Sequence, residues 1–131
     1  MNTQQLQLVT FEQAEKLKTF GFKWGCEYCY SVENAFLKKY GLCSDTFNQN
    51  KNYVSAPTIS LALKWIRDVK GIFSCVYFDL TSFRKGFYGS LFKFDEKTSI
   101  QRTETISTYE AAESALMDKL LTILENGNGN N

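Results

Sequence analysis

Residues 24–29 read WGCEYC and set Cys26 and Cys29 two residues apart, the spacing at which two thiols can exchange a disulfide or share a metal ion. Redox chemistry of the thioredoxin type needs the first cysteine at a helix N-terminus, where the positive end of the helix favours the thiolate. Here the first cysteine follows a helix-stopping Gly21 and leads into the strand-like run EYCYSV. Strand positions three apart point to opposite faces, which is poor geometry for a disulfide or a shared ligand site. Zinc would need a second close pair, and Cys43 and Cys75 stand alone in a sequence with no histidine. Cys26 and Cys29 are therefore expected to be reduced packing residues on opposite strand faces, with no metal and no cofactor bound.

The same lack of histidine removes Ser-His-Asp and Cys-His arrangements and the commonest general base near neutral pH. Carboxylates would have to serve instead. Glu104, Glu110, Glu113 and Asp118 qualify by type, but Glu110 and Glu113 fall at a helix start and on its solvated face, where acidic residues complement the helix dipole. The GFYGS run has two glycines without the following helix that a phosphate-binding loop requires. Gly86 and Gly89 suit a turn and a close backbone approach in a strand. The expectation is a protein that is not an enzyme.

One segment mixes rings with positive charge. Phe83, Arg84, Lys85, Phe87 and Tyr88 cluster around a hairpin tip and form the candidate interaction patch. Such a mixture can serve as a protein-binding hot spot, or stack on unpaired bases while neutralising phosphate. A purely structural role is also open, with Phe87 and Tyr88 belonging to the sheet and Arg84 and Lys85 serving as turn charges.

These residues must be held by a framework, and 131 residues with 44% hydrophobic content are enough to bury a core without metals or disulfides. Fifteen basic against fourteen acidic residues give a net charge of +1, which predicts no strong overall pull toward nucleic acid or an anionic membrane. Eleven Phe, seven Tyr and two Trp supply more ring surface than one core needs. The start MNTQQLQLVTF lacks the basic and apolar runs of a signal peptide, and no segment approaches the roughly 20 apolar residues of a membrane span. Four cysteines are too few for a disulfide-built domain, so the cytoplasm is the expected compartment.

Helix punctuation divides the chain. Thr10 and Gln13 form a capping box ahead of Phe11, Ala14, Leu17 and Phe20, and Gly21 ends the run. Pro57 suits the first helical position of a second helix whose apolar face is Leu61, Ala62, Trp65, Ile66 and Val69, with Gly71 as its stop and Trp65 as its core anchor. Ser107 and Glu110 cap a third helix with the stripe Tyr109, Ala112, Leu116, Leu120 and Ile123, which Gly127 ends. IFSCVYFDL and GFYGSLFKF read as an antiparallel hairpin around TSFRK. Residues 26–40 fit a second hairpin turning at Glu33 and Asn34, preferred here over a short capped helix. CSDTFNQNKN reads as a surface loop. TFEQAE and TYEAAE resemble each other as two capped helix starts rather than as a duplication.

The segments APTISLALKWIRDVKGI, TYEAAESALMDKLLTIL and EQAEKLKTFGF resemble small uncharacterised proteins of bacterial prophages and mobile elements. The resemblance implies an intracellular accessory protein and assigns no catalytic or binding residue.

The expected fold is α+β, an antiparallel sheet of about four strands with three helices in the order helix-hairpin-helix-hairpin-helix. A single domain spans 1–125, followed by a disordered tail at 126–131. The expected function is a non-catalytic protein-interaction module whose partner is another protein, a second copy of the chain included. The alternative is a weak single-stranded nucleic-acid-binding protein. No membrane is expected as a partner.

Overall fold

A computed structural model describes residues 6–41, 47–81, 85–93 and 100–128. The fold is α+β; among the described residues there are three α-helices, and the strands form two three-stranded antiparallel sheets instead of one sheet of about four strands. The two sheets fall in separate compact units, Met1–Ala62 and Leu63–Asn131.

In the first unit, α1 (Phe11–Thr19) begins with the expected box, in which Gln13 N–H donates to Thr10 Oγ1 at 3.2 Å and Thr10 N–H donates to Gln13 Oε1 at 2.9 Å. Gly21, at φ +96°, turns the chain out of the helix. Ala14, Leu17 and Phe20 are buried with Val9 and Phe22. The hairpin reading of residues 26–40 holds, since β1 (Tyr28–Ser31) pairs with β2 (Leu37–Lys39). A strand absent from the sequence reading, β3 (Tyr53–Ser55), pairs with the other side of β1, giving the order β2-β1-β3. It lies just beyond the segment expected to be a surface loop. Part of that loop, residues 43–46, lies outside the described residues, and Phe47–Gln49 form a short 3-10 turn. Asn48 ties this turn down, donating to Phe22 O at 2.9 Å and accepting from Ser55 N–H at 2.8 Å.

Helix α2 (Ile59–Trp65) starts two residues later than the first helical position expected at Pro57, because Thr58 is its cap, accepting from Leu61 N–H at 3.1 Å. The helix widens into a π-type turn over Ile66–Lys70 and stops at Gly71, whose φ of +74° is the left-handed value expected there. The wider turn moves Val69 off the apolar face, leaving it exposed while Trp65 and Ile66 are buried.

In the second unit, β4 (Ile72–Asp79) and β5 (Gly86–Lys93) form the expected hairpin with every residue paired, from Ile72 opposite Lys93 to Asp79 opposite Gly86. A further strand, β6 (Ile100–Arg102), joins β5 and gives the order β4-β5-β6. Helix α3 (Tyr109–Asn128) is capped by Thr108, which accepts from Ala111 N–H at 3.2 Å, and not by the expected Ser107. The helix runs through Gly127 to Asn128, so residues 126–128 are helical and not part of a tail; residues 129–131 lie outside the described residues. Ala112, Leu116, Met117, Leu120 and Leu121 are fully buried on it. A Cβ on Gly89 would stand 2.7 Å from Leu116 Cβ, so the missing side chain is what lets α3 lie directly on β5.

Candidate functional site

Alternation along β4 and β5 sorts their side chains onto two faces. Gly89 touches α3, so Ile72, Ser74, Val76 and Phe78, with their partners Lys93, Leu91, Gly89 and Phe87, belong to the helix-covered face. Phe73, Cys75, Tyr77 and Asp79, with Phe92, Ser90, Tyr88 and Gly86, belong to the opposite face. On this second face Phe73 and Phe92 stack with ring centres 5.3 Å apart and planes 10° apart, and Tyr77 and Tyr88 stack at 5.6 Å and 27°. Phe73, Phe92, Tyr77 and Cys75 are exposed there.

Arg102, opposite Ser90, extends the face across β6. Its guanidinium carbon lies 3.9 Å from the centre of the Tyr88 ring. The same group donates to Thr105 Oγ1 at 3.1 Å and approaches Asp79 Oδ2 at 3.8 Å. Asp79 is buried and accepts from the Thr105 hydroxyl at 2.6 Å and from the Thr81 N–H and hydroxyl at 3.0 Å each. Those hydrogen bonds, with the Thr105 hydroxyl first among them and Arg102 adding its charge, hold the Asp79 carboxyl below the usual carboxylate range against a smaller opposing effect of burial.

Only part of the patch expected at the hairpin tip falls among the described residues. Phe83 and Arg84 lie outside the described residues, and Lys85 is exposed. Phe87 and Tyr88 are neighbours in a strand and face opposite ways. Phe87 meets Phe78 and Tyr109 edge-on at 5.4 and 5.7 Å on the helix side, while Tyr88 joins Tyr77 and Arg102 on the open side. The sequence reading missed Phe73, Tyr77, Phe92 and Arg102. Period-two alternation in IFSCVYF and GFYGSLF held that signal once the hairpin register was set.

Cys29 sits on β1 opposite Lys38 and Ser55 and is fully buried. Cys26 is also buried but precedes the strand, with its thiol 3.2 Å from Tyr28 O, so the two are not on opposite faces of one strand. Cys43 lies outside the described residues. Among the described residues no three Cys, Asp or Glu side chains gather where they could hold a metal ion.

Of the candidate carboxylates, Glu104, Glu110 and Asp118 are exposed. Glu113 is not on a solvated face; it is 8% exposed, and burial, with Glu110 adding to it, pushes its carboxyl up. A depression of about 610 Å³ in the first unit is lined, among the described residues, by Tyr40, Phe47, Gln49, Asn50, Lys51 and Tyr53, none of which is a carboxylate or a thiol.

No described helix is long and apolar enough to cross a membrane. No family model, curated protein or solved structure matches the chain, and none of these comparisons links it to prophage or mobile-element proteins.

Proposed function

We propose that the protein is a non-catalytic protein-interaction module whose contact surface is the open face of the β4-β5-β6 sheet. The observation that carries this reading is the pair of stacked ring couples, Phe73 with Phe92 and Tyr77 with Tyr88, on the face away from α3, where Phe73, Phe92 and Tyr77 are exposed and Tyr88 is half-buried. Rings fixed by cross-strand stacking lose little further freedom when a partner covers them, and Tyr and Arg are the residues on which interface energy concentrates. Arg102 adds a polar group at the border of the rings that is already oriented by Thr105 and Asp79.

The same geometry weighs against single-stranded nucleic acid. The stacked rings offer part of their flat surface to each other, and the guanidinium over Tyr88 occupies surface that a base would need. Arg102 is also committed to its own sheet instead of standing free for a phosphate.

The test is affinity capture from the native cell with the wild type beside Tyr77→Ser/Phe92→Ser, whose two exposed substitutions leave the α3 side of the sheet untouched. A protein retained in stoichiometric amount by the wild type and lost by the variant is the expected result. Equal retention by both, or recovery of nucleic acid that salt strips away, contradicts the reading and promotes the nucleic-acid alternative.

A further inference from the structure

The described edge strands differ sharply in how they end their sheets. β2 is Leu37–Lys39 and carries two lysines, and β3 and β6 are equally short. Shortness and lysine are the usual devices that keep a sheet edge from pairing with another chain. β4 has neither. It runs eight residues, has β5 as its sole strand neighbour among the described residues, and contains no charge or proline from Ile72 to Phe78.

The hydrogen bonds of β5 show which groups of β4 are free. Phe87 exchanges both backbone bonds with Ile106, and Gly89 O accepts from Thr103 N–H, so Phe87 and Gly89 direct their backbone groups toward the β6 side. The residues between and beyond them, Tyr88 and Ser90, must then bond to β4, through their partners Tyr77 and Cys75. That leaves Ile72, Ser74, Val76 and Phe78 with N–H and C=O directed away from the sheet, of which Ile72 is covered and Ser74, Val76 and Phe78 are accessible.

Resting on the interaction reading above, we infer that the partner is a second copy of this chain, joined by antiparallel pairing of β4 with β4 about a two-fold axis through Cys75. Outward-directed residues must meet outward-directed residues in such a pair, which restricts the register to steps of two. One register centres on the accessible stretch: Phe73 meets Tyr77 of the second copy, Ser74 meets Val76, and Cys75 meets Cys75, with the covered Ile72 left at the end of the pairing. It brings together no like charges and joins the stacked rings of both copies into one continuous surface. A slip one way places Asp79, already bonded to Thr105, opposite Phe73. A slip the other way leaves Tyr77 and Phe78 unpaired. A charged or proline-bearing peptide finds no matching group along this edge, whereas the edge complements itself, as an isologous interface requires. A single strand pair lies near the low end of interface sizes, roughly 1,000 Å², so the association is reversible.

Cys75 supplies a native probe. Opposite residues at a position without hydrogen bonds have Cα atoms about 4.5 Å apart, within the roughly 4.4–6.8 Å that a disulfide spans. With diamide added, the two thiols form an S–S bond and their two hydrogens and two electrons pass to the azo group, which becomes a hydrazine. The full chain is oxidised this way and its mass is followed by sedimentation velocity over a concentration series, with circular dichroism as the check that each variant folds. The inference expects a concentration-dependent dimer that diamide locks and Cys75→Ser leaves unlocked. It also expects loss of the dimer in Phe73→Lys/Tyr77→Lys and recovery in Phe73→Lys/Tyr77→Glu, where opposite charges face each other across the axis. A dimer indifferent to the lysine pair overturns the inference, as does a link that survives Cys75→Ser. A monomer at every concentration overturns it too. If that monomer still captures a different protein through Tyr77 and Phe92, the interaction reading stands without it; if it captures none, both fall.

Discussion

Arg102 lies over Tyr88, with its guanidinium carbon 3.9 Å from the ring centre, and so fastens the short strand β6 to β5 on the open face. Half of the arginine side chain is exposed, so its 3.8 Å approach to Asp79 adds little by charge alone. The close approach of the guanidinium to the ring contributes more. Arg102→Lys keeps the charge but loses the flat group, and is expected to cost about 0.5–1 kcal/mol by urea titration. A lysine variant as stable as the wild type would show that this contact holds nothing.

Gly89 is where α3 presses closest to the sheet. A methyl group there would overlap Leu116, whose Cβ, Cδ1 and Cγ lie 2.7–3.0 Å from the Cβ position. Gly89→Ala is expected to destabilise by roughly 1–3 kcal/mol, as overpacking does, despite the lower chain entropy that alanine brings to the unfolded state. Thermal unfolding at matched concentration checks it.

Trp65 is 2% exposed at the end of α2, as its place on the apolar face of that helix suggests. Trp65→Ala is expected to cost about 3–5 kcal/mol, the range for removing a large buried ring. A change below about 1 kcal/mol in a urea titration would place the indole outside the core.

Two carboxylates give opposite pH signatures. Asp79 is held below its ordinary value by the Thr105 hydroxyl first, so its stabilisation is present above the unfolded-state value, about 3.9, and is lost as the pH falls through the folded value. Thr105→Val should weaken the fold at neutral pH and flatten that acid loss. Glu113 is held above its ordinary value by burial, so ionising it opposes folding as the pH rises past the unfolded-state value, about 4.3. Glu113→Gln should therefore stabilise at neutral pH and make no difference in strong acid. Urea titrations across pH 2–8 read both effects, and the opposite sign for either variant would contradict the assignment.

Much of the framework can be read from local chemistry. The Thr10 box, the left-handed Gly71 and the β4-β5 hairpin each follow from residues adjacent in the chain. Features that depend on distant partners do not show in this way. β3 and β6 are three residues long, too short to display a period, and they become strands because β1 and β5 offer them free edges. The cap of α3 moves from Ser107 to Thr108, a one-residue choice between two hydroxyl side chains. Val69 leaves the core because a π-type turn shifts the helical phase, which hydropathy alone does not report. Within the candidate patch, Phe87 and Tyr88 part company for a simpler reason: they are consecutive in a strand, so alternation sends them to opposite faces.

Residue-resolved amide hydrogen exchange along β4, at low and at high protein concentration, tests most directly whether this strand and its flanking rings form a protein-docking surface. Cys75 and Tyr77, bonded to β5, should exchange slowly at both concentrations. The outward amides of Ser74 and Val76 should exchange freely in dilute solution and become protected as the concentration rises. Ser74 and Val76 amides that stay equally fast at every concentration, and equally fast with any captured protein added, would contradict the account.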